Sequence, residues 1–253
     1  MPSPATTAYR ELVASGVADY RAVYTLWSWL FGWLVRLIAQ VTYFGLLGVL
    51  VGSADTTRRV VLGNVVLLTS VSTLFAVSAI ARERQARTID LLLLARVPLA
   101  ATLCLRNLVW VADGVLSAVA ALGSASAIFG LGLGWQTYAI APVACLLAGL
   151  ATLGVALTAG CLVLDRPAVR ALTSGVITAA LAVLGGVNYP LPSWLRGELT
   201  VLPVSAPVTV LQHASDGRSW GLPLLVAACV VLGWWLVAVW MVHRWQVGTR
   251  LAR

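Results

Sequence analysis

Two groups of ionisable residues stand out in a chain that is otherwise apolar. Asp113 lies deep inside an uncharged run, and Arg106 precedes it on the same helical face. Burying such a group in hydrocarbon is expensive, so an intramembrane carboxylate is a functional candidate by default. At about 10 Å of helical rise the two side chains do not touch. Asp113 is therefore expected to form an ion pair with another helix, a proton or substrate role being the alternative. The second group is Glu83, Arg84, Arg87 and Asp90, within A-R-E-R-Q-A-R-T-I-D-L-L-L-L-A-R-V-P. Glu83 and Arg87 have i,i+4 spacing, and Arg87 reaches Asp90 at i+3. Charge at first, then leucines, then Pro98 reads as a short cytoplasmic helix whose leucines pack on the membrane spans.

Bond-making chemistry finds little support. All 17 basic residues are arginine, which removes the P-loop lysine, the Schiff base and the lysine general base. Leu172-Thr173-Ser174-Gly175 lacks the first glycine of a Gly-x-Ser-Gly nucleophile site. His213 and His243 fall at the ends of apolar runs, with no metal-ligand spacing between them. Cys104, Cys145, Cys161 and Cys229 form no C-x-x-C pair and read as small buried hydrophobes. No catalytic residue, bound cofactor or metal is expected. A secondary transporter and an intramembrane hydrolase remain as alternatives; internal repeats or spans broken at mid-membrane would mark the former.

The elements that must hold these residues follow from composition. The 253 residues are 60% hydrophobic and 10% charged, with a mean hydropathy of +0.92, too apolar for one water-soluble core. Six runs approach the roughly 20 residues needed to cross a 30 Å hydrocarbon layer: 33–52, 60–80, 105–129, 138–164, 171–187 and 222–242. With the N-terminus inside, thirteen arginines fall on the cytoplasmic side. Only Arg58, Arg59, Arg196 and Arg218 fall outside. That bias predicts a multi-pass protein of the cell (plasma) membrane with both termini cytoplasmic. It also accounts for the net charge of +8 with no nucleic acid as partner. The spacings Gly130–Gly134 and Ala156–Gly160 would allow close helix approach.

Three further segments are not spans. In 8–34, Val13, Val17, Tyr20, Tyr24, Trp27, Phe31 and Leu34 form one helical stripe, predicting an amphipathic helix on the cytoplasmic leaflet over 8–32. The region 81–98 is the charged segment above. The region 188–221 is a long outer loop cut by Pro190, Pro192, Pro203 and Pro207 into two short helical pieces, 194–202 and 206–214. Ser193 and Ser205 stand at their N-cap positions. Non-helical backbone at membrane depth is tolerated only where protein or a cavity covers it.

These three segments, in this order around six spans, resemble the permease subunits of type-2 ATP-binding cassette (ABC) exporters. The family's coupling segment reads Glu-Arg, two variable residues, Gly-Thr-Leu-Glu, leucines and proline. Glu83, Arg84, Thr88, Ile89, Asp90, Leu91, Leu92 and Pro98 match it, and Arg87 stands where glycine is usual. Y-P-L-P-S-W-L, containing Tyr189, Pro190, Pro192 and Trp194, and V-L-P-V-S-A-P, containing Pro203 and Pro207, resemble the family's re-entrant turn at the outer gate. The resemblance implies an all-α membrane protein: one permease domain over 1–253, with six transmembrane helices, an elbow helix, a coupling helix and a re-entrant pair. It implies two cassette ATPase subunits that bind ATP and Mg2+, a second permease (identical or related) and contact with membrane lipid. It also implies export of a hydrophobic or amphipathic cargo. Glu83, Arg84, Arg87, Thr88 and Asp90 would meet the ATPase. The route would pass scattered polar residues including Thr42, Asn64, Thr69, Ser70, Ser72 and Thr73.

Overall fold

The computed structural model describes residues 4–51, 53–89, 92, 97–164, 167–189, 194 and 197–251. Among these, every regular element is helical. Helix α1 is Pro4–Val23; a wider π turn, Ser28–Leu34, leads straight into α2, Val35–Leu50. Then follow α3 (Ala54–Gln85), α4 (Leu99–Phe129), α5 (Trp135–Val163), α6 (Arg170–Leu184), α7 (Ser205–Ser215) and α8 (Gly221–Leu251).

Among the described residues five helical stretches are long and apolar enough to cross a membrane: Ser28–Leu50, α3, α4, α5 and Gly221–Val247. This is compatible with a multi-pass membrane protein. The run expected over 171–187 forms α6, of 15 residues. Its rise of about 22 Å is less than a hydrocarbon core, because the chain turns at Gly185 and at Gly186, which takes φ +69°.

Helix α3 is the axis of the bundle. Its apolar window is 89% buried against 17% for α8, and it packs on α2, α4, α5 and α6. Ser53 caps it in extended conformation, its hydroxyl accepting from the Thr56 amide at 3.3 Å. The α3–α4 crossing is tight: a Cβ on Gly114 would meet the Thr69 carbonyl oxygen at 2.8 Å. Thr69 donates to the Gly114 carbonyl across that contact at 3.2 Å. Thr152 of α5 donates to Ser70 at 2.9 Å. Asn64, Thr69, Ser70, Ser72 and Thr73 are thus fully buried within one chain and do not line an open route through it.

The glycine spacings divide. Gly130, at φ +57°, ends α4, and Gly134 precedes α5. Neither has a neighbour where a Cβ would stand, so this pair belongs to a turn and not to a helix contact. Ala156 and Gly160 are buried, with Gly160 against the Ile80 side chain of α3. Cys145 and Cys161 are buried as expected; Cys229, on the outward side of α8, is exposed.

The amphipathic segment is shorter than its stripe suggested. α1 ends at Val23, and residues 24–25 carry no helix. Thr25 and Ser28 exchange side-chain to backbone hydrogen bonds at 3.2 and 3.0 Å, a reciprocal cap that starts a new helix. Residues 28–34 therefore belong to the first membrane stretch. The outer loop also differs from expectation. Among the described residues a 3-10 turn, Glu198–Val201, precedes α7, and Ser205 is the first helical residue of α7, with Val204 in the cap position. Ser193, Pro190 and Pro192 lie outside the described residues. Pro203 and Pro207 are buried, Pro207 in the first turn of α7, where a missing N–H is harmless. α7 packs against α5 and α8 and is largely buried between them. Trp194 is exposed, and the Tyr189 hydroxyl donates to the Val183 carbonyl.

Candidate functional site

Helices α1, α3 and α4 come together around two polar centres. The first is Asp113. Among the described residues its carboxylate forms no ion pair; it accepts hydrogen bonds from the Tyr20 hydroxyl at 2.7 Å, Trp29 Nε1 at 2.6 Å and Trp33 Nε1 at 3.1 Å. The expected charge partner is replaced by three neutral donors, all from the N-terminal fifty residues. The break at 24–25 and the π turn, with its i→i+5 bonding, reset the helical phase. Trp29 and Trp33 consequently face inward, while Trp27 and Phe31 stack on each other outside, centroids 5.6 Å apart. The single stripe read from the sequence is split by these two departures from 3.6-residue geometry.

Aromatic rings close the shell around this carboxylate. Tyr20 meets Trp110 edge-on at 5.2 Å, Trp33 meets Phe75 at 5.2 Å, and Phe75 stacks on Trp110 at 5.5 Å. Burial and the hydrogen bond to Asp113 push the Tyr20 phenol well above the usual tyrosine range. Burial, followed by the Asp113 charge, raises Tyr24. Beside Asp113 a mainly apolar cleft of about 670 Å³ opens between α1 and α4, lined by Val17, Tyr20, Trp29, Val109, Asp113 and Leu116 among others.

The second centre is Arg106. Its Nη2 lies 2.7 Å from Glu83 of α3 and 2.5 Å from Asp19 of α1. As its distance along α4 required, Arg106 does not meet Asp113, about two turns away; it pairs with these two carboxylates instead. Here α1 touches α4 backbone to backbone. A Cβ on Gly16 would stand 2.1 Å from the Arg106 carbonyl oxygen, so glycine is required for the contact. Asp19 is largely exposed, and its share of the ion pair is worth at most about 1 kcal/mol. Glu83 is more enclosed and also accepts from the Thr88 hydroxyl, which bonds the Glu83 carbonyl at 3.0 Å as well.

The Glu83–Arg87 pair expected at i,i+4 does not form, because α3 stops at Gln85. The amides of Ala86 and Arg87 return to the carbonyls of Arg82 and Arg84. Arg87 then takes φ +58°, the only left-handed non-glycine residue among those described. A left-handed residue just past a helix end is usually glycine; an L side chain there is disfavoured by about 1–2 kcal/mol. Arg87 is exposed, Thr88 is half-buried and Ile89 is fully buried. Leu92 packs against the core. Asp90, Leu91, Leu93 and Leu94 lie outside the described residues. No group of three or more metal-ligating side chains occurs among the described residues.

The sequence matches no protein-family model and no curated protein.

Sequence reasoning named Glu83, Arg106, Asp113, Arg87 and Thr88 but missed their partners. Asp19, Gly16, Tyr20, Trp29 and Trp33 complete both centres, and all stand before the second span. A signal was present: three indoles and two phenols within 20–33, each able to donate from an apolar body, in a chain with one unpaired intramembrane acid.

Proposed function

We propose that this chain is the membrane-spanning permease subunit of an ATP-binding cassette exporter. The observation that carries the reading is the Arg106 junction. One guanidinium ties Glu83, at the link between α3 and α4, to Asp19 on the N-terminal helix. A push on that link would reach α1, α3 and α4 as one body, which is what a coupling segment has to do. The left-handed Arg87 adds support, since its backbone has the conformation glycine provides at that position of the family's coupling pattern. Helix α7, short and buried ahead of the last long helix, is consistent with a re-entrant piece.

In this reading the chain itself performs no bond chemistry and holds no cofactor. Two cassette ATPase subunits supply the P-loop lysine that this chain lacks and bind ATP and Mg2+. A second permease completes the path, and the cargo is hydrophobic or amphipathic. Arg87 and the neighbouring Arg84 and Asp90 meet the ATPase, while Glu83 positions the link from inside. The ends flanking α1 and the α3–α4 link face the cytoplasm.

The test is affinity purification of the tagged full chain from its native membrane. A cassette ATPase is expected in equal amount, with Mg-ATP hydrolysis, and Arg87→Glu is expected to weaken its retention without loss of membrane insertion. A chain that purifies with no ATPase, or retention untouched by Arg87→Glu, overturns the proposal.

A further inference from the structure

At the other end of α3 stands a polar centre of a different kind. Arg58 and Arg59 lie near its start, about 36 Å along the axis from Glu83 at 1.5 Å per residue, roughly a bilayer core away. Two adjoining cavities, of about 280 and 330 Å³, share Arg59, Gln212, Asp216 and Arg218 in their walls. Arg58 and Asp55 line one, and Ser205 and His213 line the other.

The donors here outnumber their acceptors. Arg58, Arg59 and Arg218 make no ion pair within the described residues, although Asp55 and Asp216 stand in the same walls. Ser205 is only 6% exposed, and its hydroxyl has no hydrogen-bond partner. Arg58 Nε and Gln212 Nε2 are likewise buried and unpartnered. His213 is already engaged, its Nδ1 lying 2.8 Å from the Ser219 carbonyl. A buried donor without a partner is destabilising; Ser205 stands in the wall of one cavity, Arg58 in that of the other and Gln212 in both, and the two walls together hold three guanidiniums against two carboxylates. That surplus calls for a ligand rich in acceptors and negative in charge. A carboxylate offers two oxygens in one plane. A phosphate offers three or more in a tetrahedral array, which forked guanidiniums meet in pairs while a hydroxyl and an amide take the rest.

We propose that this vestibule is a phosphate-binding site, held by Arg58, Arg59 and Arg218 with Ser205 and Gln212 as neutral donors. The group comes from a lipid headgroup or from free phosphate. The site needs no ATPase, so it stands or falls separately from the transport reading.

The purified full chain in a neutral detergent, at constant ionic strength in chloride, is unfolded thermally while its tryptophan fluorescence is followed. It is titrated separately with inorganic phosphate, with dihexanoyl phosphatidic acid and with acetate. A saturable rise in Tm is expected with phosphatidic acid, and none with acetate. A matching rise with inorganic phosphate identifies free phosphate as sufficient; its absence assigns the site to the lipid headgroup. Arg59→Gln and Arg218→Gln are each expected to weaken binding at least about tenfold, the loss of one charge-assisted contact. Arg218 is exposed, so its variant folds even where Arg59→Gln does not. No saturable rise with either phosphate source, an equal rise with acetate, or an unchanged titration in Arg218→Gln overturns the assignment.

Discussion

Replacing Asp113 by asparagine tests whether the aromatic donors hold the N-terminal segment to the bundle. The carboxylate accepts from Tyr20 at 2.7 Å, Trp29 at 2.6 Å and Trp33 at 3.1 Å, the first two on Oδ1 and the third on Oδ2. Asparagine keeps one acceptor, which Tyr20 and Trp29 share, and turns its amide toward the Trp33 N–H, so that two donors face each other. Hydrogen bonds to a charged group contribute about 1.5–3 kcal/mol and neutral ones about 1 kcal/mol. Two weakened bonds thus lose roughly 1 kcal/mol each, and the stranded indole adds about 1–3 kcal/mol. The expected total is about 3–5 kcal/mol, or a fall in Tm of roughly 6–20 °C for a chain of this size. Thermal unfolding in detergent, followed by near-UV circular dichroism, reads it. Trp33→Phe alone loses a bond and some packing. In the Asp113→Asn background it removes the opposed donor, so the double variant is less destabilised than the sum by at least about 1 kcal/mol. Strict additivity, or a Tm of Asp113→Asn within about 2 °C of the parent, would refute the donor arrangement.

Two other expectations concern single residues. Arg87→Gly relieves the left-handed backbone at a small entropic cost and should raise stability by about 0.5–1 kcal/mol, whereas Arg87→Val should lower it; thermal unfolding distinguishes the two. Tyr20 holds its proton more tightly folded than unfolded. Its contribution is therefore complete below the ordinary tyrosine pKa of about 10 and lost as the pH rises above it, because only the unfolded chain then releases the proton. Stability measured from about pH 9 to 11 should fall, and Tyr20→Phe should flatten that fall; equal slopes would count against the Tyr20–Asp113 bond.

The long apolar runs led directly to α3, α4, α5 and α8, because a membrane-length helix is a local property of composition. The two centres were only half legible. Asp113 announced itself as a lone acid, but its partners sit some eighty to ninety residues earlier, and nothing local links an indole at Trp29 to a carboxylate so far along the chain. The stripe through Tyr24, Trp27 and Phe31 misdirected the reading for a physical reason. It assumed one unbroken helix, while the Thr25–Ser28 cap and the π turn rotate the following residues onto another face. Arg106 was legible only in part: spacing along α4 excluded Asp113 as its partner, but its actual partners, Asp19 and Glu83, come from the tertiary approach of α1 and α3. Arg87 is the reverse case. Its mismatch with a glycine position was visible in the sequence, and the backbone there has glycine's geometry all the same.

The placement of the Asp113 donors bears on how the chain is made. Synthesis proceeds from the N-terminus at roughly 5–20 residues per second, so Tyr20, Trp29 and Trp33 emerge several seconds before Asp113. For a helix as long and apolar as α4, an acid that on an isolated span would oppose insertion by about 2.5–3.5 kcal/mol is made only after the hydrogen-bond donors it meets in the folded chain. The N-terminal segment thus carries, ready-made, the donors that a later helix of its own chain requires. A ribosome-stalled chain ending shortly before α4 would leave those indoles without an acceptor, and α1 without the Arg106 backbone against which Gly16 fits.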